Sequence, residues 1–108
     1  MVMEKRVAHH RLTDIQAQMV SVESMLLTLS AKQGIRKAGM AMEEALAVIQ
    51  GLTGNDFWKS MTTHADHRVW QDVYHALWNG IPLYVKFQRH DDARRLYYLV
   101  SFKERDPW

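Results

Sequence analysis

The chain contains no cysteine. That removes a disulfide framework, a thiolate zinc site and a cysteine nucleophile at once. Proline and glycine are sparse, with 2 and 5 residues among 108, and no low-complexity tract or internal repeat appears. No apolar run approaches the ~20 residues that a membrane helix needs. The opening stretch MVMEKRVAHHRLTD lacks the apolar core of a secretory signal, so the expectation is a cytoplasmic protein without a membrane partner. Neither sign of charge dominates, since the formal net charge is only +2.

What is present fits one globular domain spanning residues 1–108. The hydrophobic fraction is 47% and the charged fraction 24%, ordinary values for a folded chain of this size. The charge is unevenly spread. Residues 1–56 carry six basic and six acidic residues, whereas residues 57–108 carry eight and six. Asp91 and Asp92 sit together in one predicted turn, so the strands of the second half are more basic than the total suggests.

The first half reads as helix. Thr13-Asp14-Ile15-Gln16 has the form of a capping box, with Thr13 as N-cap and Gln16 reaching back. Ile15, Met19, Val22, Met25, Leu26 and Leu29 then recur at three and four, which predicts an amphipathic helix to about Ala31, ended by Gly34. A second helix is expected from about Lys37 to Gln50, stopped by Gly51 and Gly54. Met19, Met25, Met40 and Met42 lie at helical spacing beside leucines and read as core filling.

From Asp56 the texture changes to strands. Phe57–Thr63 is β-prone, Arg68–Trp78 and Ile81–Gln88 flank the hairpin signal Asn79-Gly80, and Leu96–Lys103 is the last strand. Helices followed by an antiparallel sheet make an α+β fold, with two N-terminal helices packed on three to five strands. A two-residue turn pairs Trp78 with Ile81, Ala76 with Leu83, Tyr74 with Val85 and Asp72 with Phe87, a mostly apolar face that packs on the helices. The other face pairs His75 with Tyr84, Val73 with Lys86 and Gln71 with Gln88. In the last strand Tyr98, Val100 and Phe102 are expected on the core, which sends Lys103 to the open face. Such a face, with no acidic residue among its inward set, is either the solvated side of a sheet or a surface for an anion such as a phosphodiester.

Other constellations are weaker. His64-Ala65-Asp66-His67 brings imidazoles near a carboxylate but lacks further ligands for zinc, and reads as a turn. Trp70 and Tyr74 have the rings to stack bases, but their parity puts them on the core face. No Gly-rich phosphate loop or GxSxG elbow appears.

The segments Asp56-Phe57-Trp58-Lys59-Ser60-Met61-Thr62-Thr63, Asp66-His67 and Trp70-Gln71-Asp72-Val73-Tyr74 closely resemble the MqsR family of bacterial toxins. Leu83-Tyr84-Val85-Lys86, Val100-Ser101-Phe102-Lys103-Glu104 and Glu4-Lys5-Arg6 match as well. The resemblance spans essentially the whole chain, strongest from Gly51 onward. It implies a RelE-like toxin fold and a metal-independent endoribonuclease, an mRNA interferase with no cofactor. It implies cleavage of single-stranded mRNA at GC-containing triplets, neutralisation by a cognate antitoxin protein, and a toxin–antitoxin complex on operator DNA. Carried over onto this sequence, the catalytic set is Lys59, Gln71, Tyr84 and Lys103, with Trp58, Lys86, His75 and Arg89 as RNA-binding candidates and no metal ligand.

Three of the four catalytic candidates already share the open face by parity. Strict alternation puts Lys59 with Phe57 and Met61 on the core instead, so either a bulge or a turning edge strand is required there. The sequence departs from the family in the turn after Tyr74, where His75-Ala76-Leu77-Trp78 replaces an Arg-Pro-rich stretch. It departs also at Trp58, where a tyrosine is usual, and in a longer turn before the last strand. Two antitoxin modes stay open: filling the open face, or adding a strand at an edge. Pro82 marks one candidate edge, and Phe57–Thr63 is another. The rival reading is a non-catalytic nucleic-acid-binding regulator.

Overall fold

The computed structural model describes residues 2–90 and 93–106, so the expected Asp91-Asp92 turn lies outside the described residues. A two-residue strand, β1 (Glu4–Lys5), comes first. Three helices follow: α1 (Leu12–Gln18), α2 (Leu29–Lys37) and α3 (Met42–Gly51). After a 3-10 turn at Gly54–Asp56 the chain enters β2 (Phe57–Thr62), β3 (Trp70–Trp78), β4 (Ile81–Arg89) and β5 (Tyr97–Glu104). All neighbours pair antiparallel in the order β1-β2-β3-β4-β5. The α+β class is as the sequence indicates. The helical layer differs, with three helices in place of two and a strand ahead of them.

The expected helix from Thr13 to Ala31 is two helices, and side-chain chemistry explains the break. Thr13 does not cap; the N-cap position is Arg11, which makes no side-chain cap bond. Gln16 reaches across rather than back. Its Nε2 donates to the carbonyls of Ile49 and Leu52, both at 3.0 Å, while Gln50 Nε2 donates to those of Gln16 and Met19 at 2.9 and 2.6 Å. This pair of glutamines satisfies carbonyls that two helix ends leave open. Past Met19, the Ser21 and Ser24 hydroxyls bond each other's backbone N–H groups and compete with helical bonding. The chain then runs beside β5, where Leu99 N–H donates to Leu26 O and Thr28 N–H to Leu99 O. Thr28 starts α2, accepting from Ala31 N–H at 3.1 Å and donating to Val100 O. The apolar recurrence reported burial only in part: Ile15, Met19 and Met25 lie in the core, whereas Val22 and Leu26 are half-buried and Leu29 is 70% exposed.

Gly34 does not end a helix. It sits inside α2 at the closest approach to β5, where a Cβ would overlap the Phe102 carbonyl oxygen. The true stop is Gly39, at φ 74°, with Gly39 N–H on Arg36 O and Met40 N–H on Ile35 O, a left-handed glycine cap.

The hairpin register is the one derived from Asn79-Gly80, pair for pair from Trp78↔Ile81 to Gln71↔Gln88. Both turn residues have positive φ, 48° and 81°, as a two-residue turn requires. Leu83, Val85 and Phe87 are fully buried against the helices. Asp72 shares that face and is also fully buried. Its carboxylate accepts from Ser60 Oγ at 2.6 Å and from the backbone N–H groups of His9 and His10 at 3.1 and 2.8 Å. It thereby ties the N-terminal segment across the sheet.

Pro82 does not mark an edge. Its strand, β4, lies between β3 and β5, and just past the end of β5 the Arg105 N–H still donates to the Pro82 carbonyl at 2.9 Å. β2 is the second strand, covered at Ser60 and Met61 by β1. The β5 edge is itself occupied by residues 26–28 and α2. Among the described residues no helix is long and apolar enough to cross a membrane.

The glycine contact generates a prediction with an inverted sign. Gly→Ala in an open helix gains about 1 kcal/mol. Gly34→Ala is expected to lose roughly 1–3 kcal/mol, read as a lower urea midpoint, because the obstacle is backbone. A raised midpoint would show that α2 can shift away from β5.

Candidate active site

The face of the sheet away from the helices is built in cross-strand rows. Two β-bulges decide its membership. The register shifts between Phe57 and Lys59, so that Phe57 opposes Tyr74 and Lys59 opposes Val73. Trp58 is the extra residue, and Lys59 is thereby turned to the open face. Of the two alternatives for Lys59, the bulge is the one found. A second shift pairs Lys86 with Ser101 but Phe87 with Leu99, leaving Val100 unpaired. Here the expected strict alternation fails. Tyr97 and Leu99 face the core before the bulge and Phe102 after it, while Tyr98 joins the open face.

Three rows result. One runs His75–Tyr84–Lys103, the next Lys59–Val73–Lys86–Ser101, and the third Met61–Gln71–Gln88–Tyr98. Rows two residues apart along a strand are separated by about 7 Å. Val73 is fully buried without belonging to the core cluster, being flanked in its row by the two lysines.

Aromatic rings space the cations. Lys59 Nζ lies 4.2 Å from the Trp58 ring centroid, and Lys103 and Lys86 Nζ lie 5.2 and 5.8 Å from that of Tyr84. Trp58 also packs on His75, with ring centroids 4.6 Å apart. Gln71 Nε2 donates to Gln88 Oε1 at 2.8 Å, which fixes both amides. Trp58, His75, Tyr84 and Lys103 line one cavity of about 510 Å³, closed by residues 104–106. Lys59 and Gln71 lie on the same face but outside that cavity's lining.

The electrostatics follow from crowding of like charge under partial burial. Burial lowers the Lys86 pKa, and the ammonium groups of Lys103 and Lys59 lower it further. Burial lowers His75 as well, reinforced by Arg105 and Lys59. Burial raises Tyr84, so its phenol keeps its proton at neutral pH. His75 Nε2 and Arg105 Nε are buried with no hydrogen-bond partner, two unsatisfied groups in one corner of the site.

Two site residues escaped the sequence reading, and one RNA-binding candidate lies away from this face. Glu4 forms a 2.7 Å ion pair with Lys59, and this contact, chiefly the hydrogen bond, holds its carboxyl below the usual range. The expected absence of acidic groups on this face is therefore wrong at its edge; β1, too short for a pattern to reveal, delivers the carboxylate. Arg105 follows Lys103 by strand parity, a signal that was available. Arg89 does not join the open face. It pairs with Tyr97 on the other side of the sheet, its guanidinium 5.5 Å from the Tyr97 ring centroid. His64–His67 is a turn, closed by Thr63 and Asp66, and among the described residues no group of three or more His, Cys, Asp or Glu side chains is placed to hold a metal ion.

The fold and this face define a class: a small α+β domain presenting an open, cationic and aromatic sheet surface suited to a polyanion. The family described as motility quorum-sensing regulator, toxin of MqsA, matches residues 7–104, and the chain belongs to that family. It is 37% identical over 103 residues, 95% of this chain and 100% of the relative, to the mRNA interferase toxin MqsR of Escherichia coli (strain K12).

His75 generates a pH prediction. Arg105 and Lys59 disfavour its proton in the free protein; a bound phosphate relieves that repulsion and raises its pKa. Proton uptake on binding means that affinity rises as pH falls. Binding of an uncleavable single strand is expected to tighten between pH 8 and pH 6, and His75→Gln to flatten the curve. Parallel curves for the two proteins would assign the effect to other histidines.

Proposed function

We propose that this chain is the toxin of a toxin–antitoxin pair and an endoribonuclease that cuts single-stranded mRNA, on a RelE-like scaffold, and so halts translation. The reading is supported by family membership and by the similarity to a relative named an mRNA interferase toxin. The single observation that carries it to residues is the convergence of the Lys59, Gln71, Tyr84 and Lys103 side chains on one open face, a set that binding alone does not require in full.

The reaction is attack of a ribose 2′-hydroxyl on the adjacent phosphorus. The new O–P bond closes a 2′,3′-cyclic phosphate as the bond to the 5′-oxygen breaks. Three tasks follow: removal of the 2′ proton, stabilisation of charge on the phosphate, and protonation of the leaving 5′-oxygen. Lys59, once its ammonium has given a proton to solvent, takes the 2′ proton as general base, and the ammonium so formed supplies positive charge for the phosphate together with Lys103. Lys59 exchanges its Glu4 partner for the substrate, and Glu4 returns to it when product leaves. Tyr84 keeps its proton at neutral pH and is the donor to the 5′-oxygen. Gln71, held by Gln88, positions the phosphate or a base edge. Trp58 and Lys86 bind the flanking nucleotides, with His75 beside them. Cleavage falls at GC-containing triplets, with the His75 and Trp58 departures modulating the flanking preference.

Control comes from a cognate antitoxin protein, and the pair together binds operator DNA. Among the described residues, strand addition has one available place, the outer side of β1 and the adjoining Phe57–Lys59 stretch of β2, because β4 is interior and α2 covers β5.

The test is incubation of purified protein with mRNA in EDTA, with fragment ends read by primer extension. Wild type is expected to cut with 5′-hydroxyl ends. Lys59→Ala, Gln71→Ala, Tyr84→Phe and Lys103→Ala are each expected to slow cleavage by about 10²-fold or more. Undiminished cutting by all four variants would remove these assignments. RNA binding without any cutting by the wild type would favour the non-catalytic regulator.

A further inference from the structure

Arg89 lies off the open face, in a second basic site. A cavity of about 450 Å³ opens at the end of the sheet, on the helix side. Arg11, ahead of α1, and Arg89, at the end of β4, contribute guanidinium groups to its wall, as do Arg68 and Arg95 from the loops before β3 and β5. Two carboxylates, Asp14 and Asp66, also line it. Asp66 is engaged by Arg68, whose Nε lies 3.1 Å from its Oδ1, and the contact lowers the Asp66 pKa. Among the described residues that line the cavity, four guanidinium groups stand against two carboxylates.

The floor is aromatic. Trp70 carries His9 stacked on it at 5.5 Å and 18°, and Tyr97 lies under the Arg89 guanidinium. Arg89 Nε is committed to the Arg95 carbonyl at 3.1 Å, which holds the group rigid. Its terminal nitrogens, and the whole Arg11 guanidinium, have no partner among the described residues. His9 adds no charge at neutral pH, because burial and its neighbours Lys5 and His10 lower its pKa; the arginines supply the field.

Position links this cavity to the open face. Gln71, Gln88 and Tyr98 form the terminal row of that face, and the residues beside them in the chain, Trp70, Arg89 and Tyr97, form the row on the opposite side. The two rows share one end of the sheet, about one residue step apart. A strand leaving the open face past Gln71 and Gln88 therefore turns over this end and meets the arginines. Aromatic surfaces beside cations are the chemistry that holds single-stranded nucleic acid without reading its sequence.

We propose that the Arg11–Arg89 cavity is a phosphate-binding exosite for the single-stranded RNA outside the cleaved triplet. It rests on the reading of the open face as the RNA-cutting site, and it gives the protein a longer footprint than that face alone. It contributes affinity and register on the mRNA and takes no part in bond cleavage.

The experiment compares uncleavable 2′-O-methyl strands of 4 and 12 nucleotides by fluorescence anisotropy over a range of salt concentrations. For Arg11→Ala/Arg89→Ala, affinity for the long strand is expected to fall by about tenfold or more, and its log–log salt slope to shrink by about 1.4, two phosphate contacts at roughly 0.7 each. Affinity for the short strand should stay at the wild-type value. Arg11→Glu, which leaves the sheet untouched, should show the same length dependence with circular dichroism unchanged. Equal weakening for both lengths, or none for either, would overturn the exosite. Cleavage of a short RNA by the wild type is scored separately; its absence would defeat the nuclease reading while the length dependence still judges the cavity.

Discussion

The open face depends on two interruptions of the pleat. Strict alternation along β2 would point Lys59 into the helices, where an unpaired ammonium is costly to bury. The bulge at Trp58 spends one residue to turn it out, and the same shift sends Ser60 inward to the Asp72 carboxylate. The bulge at Val100 does the equivalent in β5. It lets Leu99 and Phe102 both reach the core while Ser101 and Lys103 face outward. Each bulge thus reconciles a hydrophobic requirement on one side of the sheet with a chemical one on the other.

Asp72 is the counterpart of these bulges on the buried side. A fully buried carboxylate is tolerable because three donors meet it, and two of them are backbone N–H groups of residues 9 and 10. That arrangement brings the N-terminal segment across the sheet. The segment in turn supplies Glu4 to Lys59, Lys5 to the Trp70 ring and Arg6 to the Trp58 carbonyl. A structural anchor on one face therefore sets the electrostatics of the other. The Glu4–Lys59 pair offsets one of the cations on that face.

The close packing of α2 on β5 completes the asymmetry of the sheet. Gly34 allows the helix backbone to rest against the Phe102 carbonyl, and Thr28 caps the helix while bonding Val100. One edge of the sheet is closed by these contacts. The other ends in the two-residue β1. Among the described residues, that is the edge left without a neighbouring strand or helix.

Much of this was written in the sequence. Asn79-Gly80 determined the β3–β4 register, because a two-residue turn admits one pairing and period-two alternation then sorts every side chain of the hairpin. The family motifs pointed to Lys59, Gln71, Tyr84 and Lys103 before any geometry was known. The apolar recurrence picked out Ile15, Met19 and Met25 as buried, but it mistook two helices for one and put the exposed Leu29 on the same stripe. Tertiary structure decided the rest. Whether Gln16 caps its own helix or clasps another depends on which carbonyls lie within reach, and local spacing carries no record of that. The bulges are invisible to an alternation rule because their cause is a partner strand and a core on opposite sides. The two-residue β1, with Glu4, has no pattern of its own and exists only because β2 and the Asp72 anchor hold it. The place of Arg89 was undecided for the same reason: a side chain's direction is local, but which surface lies in that direction is settled only when the whole sheet has formed.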